Sequence, residues 1–354
     1  MNKLTKVGCS ALCGSLAAIS AANAGDLSVT GGADLTYISL GADTTGNPIG
    51  MGSNYSLKGS GELDNGWTFG LTIANTNANA YSSTAIDLKM GGLGSLNFNS
   101  GDSGNGIQAY DDKMPTAWEE PWGAGLSTGM RGLVSGVGPN MNVQYTFPTI
   151  VGTTLKVAYA PIMGTTDTAD KTGGGTVAEA DNNGGVDITI NMNPSLGTEI
   201  LSGLNIFAGA HNKRVFNGAT AEQDAYQGVA GVTYDIGPLS LGVQASATYS
   251  GEESSASAYN TYKANAYGVA FNVNDDLSVS YGKWESRKAG YNNSNAQTNA
   301  GEDGRRVVVD SWQVAYTMGG ASLRVADIKA DNALFNSAAS GDVTATVVSL
   351  GLAF

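Results

Sequence analysis

The sequence predicts an all-β fold, a single sixteen-stranded antiparallel β-barrel that spans a membrane. Three observations predict it. Short segments alternate apolar and polar residues along almost the whole chain, and the connections between them alternate between short and long. Composition agrees: Gly reaches 50 of 354 residues, Pro only 8, and charged residues 14%. Gly is among the weakest helix formers, so this composition suits strands joined by many turns. Mean hydropathy is -0.10, and no uninterrupted run of 18 apolar residues occurs, which excludes a transmembrane helix.

The first 24 residues form a separate segment. Lys3 and Lys6 supply a positive start, Val7 to Ile19 is apolar or small, and Ala22-Asn23-Ala24 fits a cleavage site ahead of Gly25-Asp26. This is the pattern of a cleaved export signal, leaving 25–354 as one barrel domain. Cys9 and Cys13 both lie inside it. Leu12 precedes Cys13 where a lipidation site wants a small residue, and Lys6 occupies the third position before Cys9, so lipidation is disfavoured. The mature chain has no cysteine and does not depend on disulfides. The whole chain has a formal charge of -13; loss of Lys3 and Lys6 leaves 16 basic residues against 31 acidic, or -15. That balance argues against nucleic-acid partners and favours cations.

The strands read in order. Leu27, Val29, Gly31, Ala33, Leu35 and Tyr37 share one face, with Ser28, Thr30, Gly32, Asp34 and Thr36 on the other. Met51, Ser53, Tyr55 and Leu57 alternate with Asn54, Ser56 and Lys58, and Asp64-Asn65-Gly66 makes a hairpin turn. Trp67, Phe69, Leu71 and Ile73 resume the apolar face. Further apolar faces are centred on Ile86/Leu88, Leu96/Phe98, Val143/Tyr145, Leu155/Val157, Ile188/Ile190, Leu204/Ile206, Val232/Tyr234 and Leu241/Val243. The last four are centred on Val269/Phe271, Val279/Tyr281, Val314/Tyr316 and Leu323/Val325, before the run from Thr344 to Phe354. The patterns at 84–90, 95–99 and 204–211 are the weakest.

Short connections at 64–66, 91–94, 237–238, 274–276 and 319–320 alternate with long polar ones near 161–184, 212–224, 250–261, 285–305 and 329–341. One tidy end and one decorated end is the layout of a membrane barrel, and aromatic residues near strand ends fit its interfacial girdles. The third long connection, about 100–140, is anomalous in length and carries Asp102, Asp111, Asp112, Glu119 and Glu120 against Lys113 and Arg131.

A sixteen-strand meander with a long third loop resembles the trimeric general porins of Gram-negative bacteria. The stretch VQYTFPTIVGTTLKVAYA at 143–160 is similar to their strand, Tyr-x-x-Pro-like corner, Gly and second strand. The terminal Phe354, closing an alternating strand, resembles the signal read by the outer-membrane insertion machinery. The resemblance implies an outer-membrane homotrimer, surrounded by lipid and lipopolysaccharide, that passes small hydrophilic solutes and ions by diffusion without a cofactor. It implies that the third loop folds inward and narrows the pore. Asp111, Asp112, Glu119 and Glu120 would then be the acidic side of the constriction, and Lys58, Arg131 and Arg324 the basic side on the wall. Lys58 lies six residues above Asp64, near mid-membrane at ~3.3 Å per residue; Lys89 faces inward nearer a turn. The family's dense arginine cluster has no counterpart here, which implies a net negative opening and mild cation preference. Asp34 and Asp187 face inward by alternation and read as lumen acids.

Catalytic signals are weak. His211, the single histidine, reads as a solvent-exposed residue at a loop end beside Lys213 and Arg214. No spaced ligand set for a metal occurs, and Gly173-Gly174-Gly175 lacks the lysine of a phosphate-binding loop. Two alternatives stand beside the diffusion channel. A substrate-specific channel for sugars or nucleosides would use aromatic side chains such as Tyr110, Trp118 and Trp122. A secreted Gly/Asn-rich surface β-protein would need an internal repeat, and none is found.

Overall fold

Period-two alternation forces successive side chains to opposite faces of a strand, and in the computed structural model every alternating segment is a strand. The structure describes residues 27–41, 46–77, 83–100, 104–163, 184–194, 199–216, 222–251, 259–290, 306–336 and 338–353. The export-signal segment and Phe354 lie outside them. The strands are β1 (Ser28–Leu40), β2 (Ile49–Glu62), β3 (Thr68–Thr76), β4 (Ser83–Lys89), β5 (Ser95–Ser100), β6 (Met141–Thr146), β7 (Thr153–Ala160) and β8 (Gly185–Met192). They continue with β9 (Leu204–Phe216), β10 (Glu222–Ile236), β11 (Leu239–Tyr249), β12 (Tyr259–Asn272), β13 (Leu277–Gly290), β14 (Arg306–Met318), β15 (Ala321–Asp331) and β16 (Val343–Ala353). Each pairs antiparallel with its sequence neighbours, and β1 closes on β16 from Gly32↔Ala353 to Leu40↔Ala345. Closure leaves no edge strand, as hydrocarbon surroundings demand of any spanning sheet.

The apolar face looks outward. Leu35, Tyr37, Met51, Ile188, Val243, Trp312 and Leu352 are all exposed, Met51 at 77% and Trp312 at 66%. So large an apolar exterior would be untenable in water and is what a lipid-facing barrel requires. The segments at 84–90, 95–99 and 204–211, weakest in pattern, are β4, β5 and β9.

Two expectations need correction. β9 and β10 run to Phe216 and from Glu222, so most of the expected 212–224 loop is hairpin, with pairs such as Asn212↔Tyr226 and Arg214↔Asp224. β13 and β15 likewise extend to Gly290 and Asp331. There both faces carry polar residues, so the hydrophobic period fades while the hydrogen-bond ladder continues. The second correction concerns the interior, which is not uniformly polar. Val307, Val309, Ile328 and Trp284 face inward with no exposed surface, and Ala330, Ala345 and Val347 join them in an apolar cluster inside the barrel. The third long loop is what covers it.

Candidate functional site

The third loop, described from Gly104 to Asn140, lies against the inner wall. Its roots rest on one register row that crosses seven strands: Asp87, Asn97, Gln144, Ala158, Asp187, His211 and Gln227, on β4 to β10. Entering the barrel, Asn105 Nδ2 donates to Asn97 Oδ1 (2.7 Å), Gly106 N to Gln144 Oε1 (2.9 Å) and Ile107 N to Asp187 Oδ2 (2.8 Å). Leaving it, Ser135 N and Gly136 N donate to Gln227 Oε1 (2.8 and 3.1 Å), and Val137 N to the same Asp187 Oδ2 (3.1 Å). Small Ala158 in mid-row leaves space for Val137, and both are fully buried.

A second row seats the middle of the loop. Gly242, Gly268 and Gly282 are register partners on β11, β12 and β13. A Cβ on Gly268 would lie 2.7 Å from the Pro115 carbonyl oxygen, and one on Gly282 2.8 Å from Pro121 Cγ. The glycines form a track on which the loop backbone lies down. Beside it Gln313 grips the loop: Oε1 accepts from Thr116 Oγ1 (2.9 Å) and from Glu119 N (3.0 Å), while Nε2 donates to Glu119 O (2.5 Å). Ser280 Oγ accepts from Ala117 N at 2.9 Å.

The returning limb is held by packing. Ala124, Leu126, Met130 and Val134 fill the apolar patch of the inner wall, and Trp122 meets Trp284 edge-on at 6.3 Å. Ser286 Oγ donates to Arg131 O (2.7 Å) and Ser246 Oγ to Gly132 O (2.7 Å). The segment after β15 adds a second clamp, with Leu334 N donating to Thr128 O at 3.0 Å and Phe335 buried in the same cluster.

The four acids expected at the constriction come together. Asp111 and Asp112 interact, and Glu120 interacts with Glu119 and Asp112. Glu120 is 5% exposed. Burial, then the Asp112 charge, lifts the Asp111 carboxyl to about 7. Burial, then a hydrogen bond with Glu119 and the surrounding acidic charge, lifts Glu120 to about 8. Crowded carboxyls in a low-dielectric setting resist ionisation in this way. Two of the four therefore carry only part of a charge at neutral pH.

The basic residues are scattered. Arg324, on the inner face of β15, is tied to Asp34 of β1 at 3.2 Å, with its guanidinium 6.0 Å from the Trp118 ring. Lys58 is exposed on the inner face of β2. Arg131 was expected on the wall and instead belongs to the loop itself, laid on β13 through its backbone and Ser286. Asp187 was expected as a lumen acid and instead lies fully buried beneath the loop. His211 was expected in solvent; it is 3% exposed, with Nδ1 2.5 Å from Asp187 Oδ1. Sequence reasoning missed Lys156, an inward residue of β7 in electrostatic contact with Lys113. Its alternation with Leu155 and Val157 was the available signal. A cavity of about 570 Å³ remains beside the wall of β1, β2 and β15, lined by Thr30, Asp34, Asn54, Ser56, Ser322 and Arg324.

Among the described residues no helix is long and apolar enough to cross a membrane. The sequence profile of Gram-negative porins matches residues 8–317. The chain belongs to this family. The fold is correspondingly similar to OmpF of Salmonella typhi, solved in complex with daunomycin (TM-score 0.62, 14% identity, covering 93% of this chain and 98% of that one). It is similar to OmpT of Vibrio cholerae in its trimer form (TM-score 0.62, 13% identity, 94% and 100%). It is similar, too, to the anion-selective porin from Comamonas acidovorans (TM-score 0.58, 15% identity, 93% and 100%). No curated protein matches the chain by sequence. The porin resides in the outer membrane, and its family and fold are those of a channel.

Proposed function

We propose that this porin passes small hydrophilic solutes and ions by passive diffusion, with a mild preference for cations that strengthens as pH rises. The observation that carries the reading is the grouping of Asp111, Asp112, Glu119 and Glu120 on an inward loop, while Arg324 is already partnered by Asp34. Carboxylates near low-dielectric walls focus a negative potential and concentrate cations in the opening. Lys58, Lys113 and Lys156 offset part of that potential, which keeps the preference mild.

The substrate-specific alternative needs aromatic rings open to the lumen. Tyr110 packs on Phe207 at 4.8 Å and is 4% exposed, and Trp118 and Trp122 are both partly buried against the inner apolar cluster, Trp122 edge-on to Trp284. This favours unspecific diffusion. We further infer a homotrimer, the form in which OmpT of Vibrio cholerae was solved, set in lipid and lipopolysaccharide after removal of residues 1–24. Swelling of proteoliposomes tests the reading. Small neutral sugars and cationic amino acids are expected to enter at rates that fall smoothly with size, anionic analogues more slowly. Saturable uptake of one sugar with exclusion of others of equal size would contradict it.

A further inference from the structure

We propose that Asp187 is a positioning residue for the constriction: one buried carboxylate clasps both roots of the third loop and so fixes how far the acid-bearing tip reaches into the lumen. The inference rests on the reading of this loop as the constriction. Ile107 and Val137 stand at opposite ends of the inward excursion, yet their N–H groups converge on the same oxygen, Asp187 Oδ2, at 2.8 and 3.1 Å. The other oxygen faces His211 Nδ1 at 2.5 Å. The residue before each loop donor is a glycine with positive φ, Gly106 at 64° and Gly136 at 50°, and a Cβ on either would collide with the carboxylate. The two roots thus use the same device, a left-handed glycine that lets the next N–H point straight at the acid.

A carboxylate with no exposed surface is costly unless its lone pairs are met. Here two backbone donors and an imidazole meet them, and hydrogen bonds to a charged acceptor are stronger than neutral ones. The sheet does not need this side chain, because the β7–β8 and β8–β9 ladders run unbroken past Asp187 through backbone pairing. What the side chain adds is the junction between wall and loop. Leu in its place roughly keeps the volume and offers no acceptor, whereas Asn could still present its one oxygen to both N–H groups, since they share Oδ2. His211 faces the carboxylate from the neighbouring strand and stiffens it against rotation.

The test is D187L in planar bilayers, with conductance, open-channel current noise and ion selectivity recorded together. Expected is a folded barrel of unchanged heat-unfolding temperature whose conductance is larger and variable between channels, with a several-fold rise in low-frequency noise. A folded D187L barrel with wild-type conductance and noise would overturn the clasp. Those two readouts are separate from selectivity, so a failure of the cation preference alone leaves this test intact. Should D187L fail to fold, amide exchange in the unaltered protein decides. Ile107 and Val137 N–H are expected among the slowest-exchanging of the loop, and exchange as fast as at exposed Gly104 would refute the idea.

Discussion

Arg324 of β15 reaches across β16 to Asp34 of β1, with Nη1 3.2 Å from the carboxylate. The residue it passes over is Gly351, where a Cβ would sit 2.5 Å from Arg324 Nη2 and 2.6 Å from Asp34 Oδ1. The missing side chain makes the ion pair possible. The pair spans the seam where the last strand meets the first, and the Asp34 carboxylate offsets part of the field Arg324 would otherwise present to the loop acids.

Breaking this pair should therefore change selectivity more than stability, since half-exposed ion pairs contribute at most about 1 kcal/mol. D34N is expected to free the Arg324 charge and lower the cation-to-anion permeability ratio by ~2-fold, about the effect of one unit charge some 10 Å away in water. R324Q should raise the ratio by a similar factor. Bi-ionic potentials in planar bilayers distinguish the two directions.

The loop acids should act as a group. Replacing Asp111, Asp112, Glu119 and Glu120 together by Asn and Gln is expected to lower cation preference several-fold at pH 8. Folding should be preserved, because Gln313 grips the loop through the Glu119 backbone rather than its carboxylate. The permeability ratio and heat-modifiable migration on a gel check the two halves of this expectation.

Proton dependence should fall in an unusual window. Asp111 and Glu120 are raised to about 7 and about 8, so both are largely neutral below pH 6 and ionised above pH 9. Cation preference is expected to climb between those limits, where unperturbed carboxylates would show a flat response. The stability sign is opposite. The folded state holds protons that the unfolded state has released, so stability falls as pH rises from about 4 to about 8. Zero-current potentials recorded from pH 5 to 9 follow the first effect, thermal unfolding the second.

The glycine track yields a steric expectation. G268V places a branched side chain against the Pro115 backbone and should push the loop towards the lumen, at an overpacking cost of about 1–3 kcal/mol. A lower single-channel conductance with selectivity retained is the expected outcome. G59V, on the outward face where nothing lies within 4 Å of the added Cβ, is the control.

How much of this was legible in the chain differs between its two faces. The outer surface was legible because lipid imposes one rule on every strand, which is why even the short run Leu96 to Phe98 was found. The inner surface obeys no single rule. Val307, Val309 and Ile328 point inward because a folded loop covers them, and alternation alone assigns inward positions to polar residues. Gln144, Asp187, His211 and Gln227 are far apart in sequence, and only the register of five strands lines them up. His211 was misread for that reason: its partner is 24 residues away on the neighbouring strand. The track of Gly242, Gly268 and Gly282 did leave a trace, glycines at inward positions on three consecutive strands, but its meaning depends on the loop that rests there.

The sign of the zero-current potential across a tenfold KCl gradient at pH 8 bears most directly on the whole account. If the opening is dominated by the carboxylates of the third loop, the dilute side becomes positive as K⁺ leads Cl⁻ through the pore. A dilute side that becomes negative, or a bilayer that shows no conductance steps at all, would contradict it.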